Sequence, residues 1–85
     1  SEKCVPYIEL FAPFRATGKQ VREVMRAAHE AGHPIPKSDN GSDMCISYHV
    51  KGTCNTNCGR KSDHKPHNEG ETTRLVSWCT ASFEL

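Results

Sequence analysis

The stretch from Cys45 to His64 gathers three thiols, Cys45, Cys54 and Cys58, and the imidazole of His64 into one polar, turn-rich run. Cysteine sulfur and histidine nitrogen are the donors of a closed, four-coordinate structural zinc site. Zinc suits them because it is borderline-soft and asks little of geometry beyond the tetrahedron. In a chain of 85 residues, 35% of them hydrophobic, a core alone is marginal and a staple is expected. The implied cofactor is one Zn2+, with folding of residues 44–67 linked to its binding.

Sequence alone leaves the fourth ligand open. His64 keeps the span compact, His67 comes next, and Cys79 could reach back from further along the chain. Asp63 and His67 are then candidates to support the cage, as a carboxylate orienting a ligating imidazole or as a surface imidazole. His49 follows Tyr48, and on a locally extended segment the two side chains face opposite ways. His49 is read either as a solvent-exposed neighbour of the metal or as a functional group.

Five cysteines are an odd count, whereas secreted disulfide scaffolds normally pair an even number. No signal peptide or membrane span is visible. Thiols mixed with histidine favour a reducing compartment, so an intracellular setting, cytoplasm or nucleus, is expected. A disulfide framework is the competing reading. Cys4 and Cys79 are expected to be buried thiols, or to pair with each other if their segments meet.

Residues 4–14 are the most apolar run. Pro6 and Pro13 demote it to an edge strand or extended arm, with Tyr7, Leu10, Phe11 and Phe14 turned to the core. Thr17 followed by Gln20 matches a capping box. Val21, Val24, Met25 and Ala28 recur at helical spacing, and Gly32 with Pro34 closes the pattern, which predicts a helix over about 18–31. A polar loop follows to Asp43, with a turn at Asp39-Asn40-Gly41. Met44–Val50 alternates and predicts a short strand. Asn68 and Glu71 can cap a second helix over about 70–82, with Leu75, Val76, Trp78 and Cys79 as its apolar side. The expected fold class is a small zinc-stabilised domain, mainly α with irregular loops. Residues 1–43 supply the arm, the amphipathic helix and a linker, and residues 44–85 the zinc module and final helix, together one compact unit.

The ligand spacing C-x8-C-x3-C-x5-H resembles the CCCH zinc finger family, whose usual spacing is C-x8-C-x5-C-x3-H. Tyr48, three residues after the first cysteine, and Gly52, two before the second, match that family's first loop. The last two intervals are exchanged and the total span is kept, so the loop from Cys58 to His64 runs differently. A weaker likeness extends from Cys45 through Leu75-Val-Ser-Trp-Cys79 to Cys/His segments of gag-like proteins of mobile elements.

The CCCH resemblance implies binding of single-stranded RNA, with aromatic side chains stacked between bases. Tyr48 would stack, and Lys51, Arg60, Lys61 and Lys65 would track phosphates. Charge supports this. Those four cations stand against Asp63 alone between Cys45 and His67, and residues 15–30 carry Arg15, Lys19, Arg22 and Arg26 against Glu23 and Glu30. The alternative is a zinc-stapled protein-interaction or oligomerisation domain of a larger, gag-like protein, with an exposed apolar residue such as Phe83 at the interface. An enzyme is not expected. Four protein ligands close the site, and no HExxH, phosphate loop, or His-x-Glu with Pro-Cys-x-x-Cys is present.

Overall fold

Two helices and the segment between them enclose the core. In the computed structural model, residues 2–3 and 7–85 are described. Strand β1 (Glu2–Lys3) pairs antiparallel with β2 (Thr53–Cys54), Glu2 opposite Cys54 and Lys3 opposite Thr53. A 3-10 turn (Ile8–Phe11) leads into the short helix α1 (Ala12–Arg15). Helix α2 spans Val21–Glu30 and α3 spans Glu69–Ser82. Between them lie a π-helical turn (Ser47–Lys51) and a 3-10 turn (Lys61–Asp63).

The apolar N-terminal run is therefore mostly helical where it is described, not an extended arm. Pro13 sits in the first turn of α1, where its missing N–H has no partner to lose. Phe11 is buried and Phe14 partly so. Tyr7 and Leu10, expected in the core, are 45% and 53% exposed. Cys4 lies outside the described residues.

Helix α2 begins later than its pattern suggested, and the Thr17–Gln20 capping box does not form. Gly18 takes a left-handed conformation (φ 74°), and the Thr17 hydroxyl donates back to the Phe14 carbonyl at 2.7 Å. The helix ends as its sequence implies. Gly32 adopts φ 83°, His33 N–H donates to Ala28 O at 2.8 Å and Gly32 N–H to His29 O at 3.2 Å. That pair of bonds is a Schellman motif, which satisfies carbonyls the last turn would leave open. At α3 the predicted capping box is present. Asn68 Oδ1 accepts from Glu71 N–H at 2.8 Å, and Glu71 Oε1 accepts from Asn68 N–H at 3.0 Å.

Val21, Val24 and Ala28 of α2 meet Leu75, Trp78 and Cys79 of α3 across Met44, Ile46 and Val50, with Phe11 and Phe83 completing the cluster. Phe83 is 4% exposed and packs on Phe14 with ring centroids 5.3 Å apart, so it is a core residue and does not form part of an exposed face. The indole N–H of Trp78 donates to His33 O at 3.3 Å. The Arg15 guanidinium donates to the carbonyls of Ile8 and Val50, both at 2.9 Å, tying α1 to the π-helical turn. Among the described residues, no helix is long and apolar enough to cross a membrane.

Candidate metal centre

Met44–Val50 does not form the expected strand. From Ile46 the backbone turns into a helical and then π-helical loop that closes at Gly52, left-handed at φ 89°. This loop brings Cys45, at its start, back beside Cys54 on β2. The turn at Asn55–Cys58 and the 3-10 turn at Lys61–Asp63 deliver the other two ligands. The side chains of Cys45, Cys54, Cys58 and His64 converge, with their ligand atoms within 4.8 Å of one another.

The sulfur of Cys45 lies 3.7 Å from those of both Cys54 and Cys58, and His64 Nε2 lies 3.3 Å from Cys45 Sγ. A zinc ion with Zn–S of about 2.3 Å at the centre of a regular tetrahedron separates its sulfurs by about 3.8 Å, and sulfur from imidazole nitrogen by about 3.5 Å. The cage matches that size. Disulfide sulfurs would stand at about 2.05 Å, and Cys45, Cys54, Cys58 and Cys79 are all free. The disulfide reading fails for these four.

Electrostatics fit a cation. Without one, burial pushes the Cys45 thiol up to about 12 against the pull of the Tyr48 backbone N–H, and the neighbouring thiols push the same way. Burial also raises Cys54, opposed in part by the Asn55 amide. Cys58 is lowered, chiefly by the Arg60 N–H, which reaches its sulfur at 3.3 Å. Each sulfur thus has a backbone N–H available to share thiolate charge. A bound divalent cation would supply the rest, because a coordinating thiol is deprotonated outright.

His64, not His67 or Cys79, is the fourth member. His67 is buried and its Nε2 lies 2.9 Å from Asp63 Oδ1. Cys79 belongs to the hydrophobic core, where burial pushes its thiol up to about 12. The folded chain holds this thiol neutral more strongly than the unfolded chain does. Its contribution to stability is therefore complete below pH 9.0 and lost as pH rises toward about 12. The urea midpoint should fall across that alkaline range, and Cys79→Ala should flatten the fall. An equal fall in both proteins would contradict it.

The structure corrects two expectations about the aromatic loop. Tyr48 is 6% exposed, and its ring stacks on His64 at 4.4 Å with 9° between planes. It covers the cage and presents no open face to a base. His49 is buried as well, because successive residues of a π-helical turn are spread around an axis and do not alternate as on a strand. Of the basic residues, Lys51, Lys61 and Lys65 are exposed and Arg60 is partly covered.

A second group, His49, Asp63 and His67, is entirely buried. Asp63 Oδ2 accepts from Cys45 N–H at 2.7 Å and lies 2.9 Å from His49 Nε2, and Oδ1 takes His67. Burial alone would raise the Asp63 carboxyl. Hydrogen bonds from His49, His67 and the Cys45 amide outweigh it and hold the group well below the usual carboxylate range. The Asp-His-x-x-His spelling at 63–67 was the available signal, but nothing in it says which atoms meet.

Cys45, Cys54, Cys58 and His64 define a Cys3His cage of a size to hold a metal ion. No family model, curated protein or solved structure matches the chain.

Proposed function

We propose that this chain is a non-catalytic, zinc-stapled domain whose metal site is structural. The carrying observation is the cage itself: four protein ligands at tetrahedral spacing, roofed by the Tyr48 ring. Such a set leaves no coordination position for water or substrate, which a catalytic zinc needs. The decisive experiment is native mass spectrometry with and without a chelator. One zinc per chain, lost on chelation together with helical signal, supports the reading. A metal-free folded chain overturns it.

The partner we propose is single-stranded nucleic acid, RNA by the CCCH resemblance, held through phosphates. Support comes from the exposed Lys51, Lys61 and Lys65 beside the cage. With Tyr48 committed to His64, no base-stacking contribution enters, so binding should be weak, sequence-tolerant and steeply dependent on salt. Lys61→Glu combined with Lys65→Glu should leave the zinc content unchanged. It should make the negative slope of log affinity against log salt shallower by about 0.7 for each phosphate no longer neutralised, read by fluorescence anisotropy on a labelled oligonucleotide. An unchanged slope would favour a protein-interaction or oligomerisation domain instead. That reading has its own support, since the exposed Tyr7 and Leu10 line a groove with Thr72 and Val76 of α3.

A further inference from the structure

The buried His49–Asp63–His67 group invites reading as a second metal site, but its geometry argues otherwise. The two imidazoles lie nearly parallel, 19° between planes, with centroids 3.5 Å apart. The in-plane nitrogen lone pairs of stacked rings lie in nearly parallel planes, whereas a cation needs lone pairs that converge on one point. Each Nε2 faces an oxygen that can only accept. His49 Nε2 lies 2.9 Å from both Asp63 Oδ2 and Asp63 O, and His67 Nε2 lies 2.9 Å from Asp63 Oδ1. Both nitrogens therefore carry protons and donate. The group is a hydrogen-bond clamp centred on one carboxylate.

That carboxylate touches the cage at two places. Its Oδ2 accepts the backbone N–H of Cys45, one ligand, at 2.7 Å. Its own backbone leads directly into His64, another ligand. Through His49 it also fixes the loop carrying Tyr48, whose ring lies on His64. Through His67 it reaches the residue before Asn68, the N-cap of α3. The partners reach it from both ends of the zinc module, separated by 18 residues for Cys45 and 4 for His67.

We propose that Asp63 is the positioning residue of the metal centre: it holds Cys45 and His64 in chelating register and fastens the cage to α3 through His67. The inference rests on the zinc reading above. Outer groups that orient ligands typically change metal affinity by about 10–100-fold when removed. Asp63 reaches the ligands through backbone as well as side chains, so the upper part of that range is expected.

The test is Asp63→Asn, which keeps the shape and replaces one accepting oxygen with a donor that must face another N–H. Zinc affinity would be read by competition with a chromophoric chelator, and coordination by the absorption spectrum of the Co2+ form. Val76→Ala, at a partly buried position of α3, serves as a control that mildly loosens α3 and leaves the clamp intact. The expected result is a tetrahedral Co2+ spectrum like the parent's, with zinc affinity lower by about 10–100-fold and well beyond the loss in Val76→Ala. Parental affinity, or a loss no larger than the control's, overturns the proposal. Should Asp63→Asn fail to fold, His67→Leu, which removes the donor to Asp63 Oδ1, is measured the same way. A loss beyond the control's again supports the clamp, and parental affinity overturns it. If the parent chain itself binds neither Zn2+ nor Co2+, the zinc reading falls first and takes this inference with it.

Discussion

Cys45→Ser is expected to abolish stoichiometric zinc binding and to unfold residues 44–67, with loss of cooperative unfolding for the whole chain. Structural zinc contributes apparent binding free energies of about 10–16 kcal/mol at neutral pH. A domain of this length has a net stability of only about 4–13 kcal/mol. The metal term therefore matches or exceeds the margin by which the chain folds, and its loss cannot stay local. Cys45 is the most telling ligand to change. It is buried, its sulfur neighbours both other thiols, and its amide is held by Asp63. Native mass spectrometry and the Co2+ spectrum read metal content, and far-UV circular dichroism reads folding. A variant that still binds one zinc tightly would mean that another side chain completes the cage. The ligand set would then be wrong.

The second large effect is expected from Leu75→Ala, at about 3–5 kcal/mol. Leu75 is fully buried at 0% exposure and sits where α3 meets α2 and the Met44–Val50 segment. Truncation leaves a cavity that helices tied by the Asn68 cap and the Trp78–His33 bond cannot readily close. At the upper end the loss equals the whole margin of a modest domain. Excess zinc should then recover part of it, because a ligand that binds only the folded chain adds stability by mass action. Urea unfolding at two zinc concentrations checks both statements. A loss below about 1 kcal/mol would place Leu75 outside a tightly packed core.

What could be read in the sequence was whatever one short window controls. The donor chemistry of Cys45, Cys54, Cys58 and His64 points to zinc wherever the chain puts them. Asn68 and Glu71 meet through one helical turn, and the Val21, Val24 and Ala28 stripe defines its own helix. Errors arose where two local rules competed. Pro13 marks a strand break or a helix start, and it starts α1. Thr17 can cap forward or bond backward, and the left-handed Gly18 turns it backward. Tyr48 and His49 were misplaced because alternation in Met44–Val50 implied period two, while the backbone took a π-helical turn. The clamp was half legible: Asp63 and His67 read as supports of the cage, but the partners of Asp63 did not. Asp63 joins partners 14 and 18 residues away, and no period relates them.

The π-helical turn at Ser47–Lys51 works as a ruler. Together with the left-handed Gly52 it sets how far the backbone travels between Cys45 and Cys54. An added Cβ at Gly52 would be strained at that φ and would press on Ile8 Cδ1 at 3.3 Å, so the closing corner favours glycine twice over. Removing one residue from the turn would rotate everything beyond it by roughly a quarter of a turn. Either Tyr48 would leave His64 or Cys54 would leave the cage. Insertions and deletions should therefore be excluded from this loop far more strictly than substitutions at its exposed positions, so its length is a better diagnostic of kinship than its spelling.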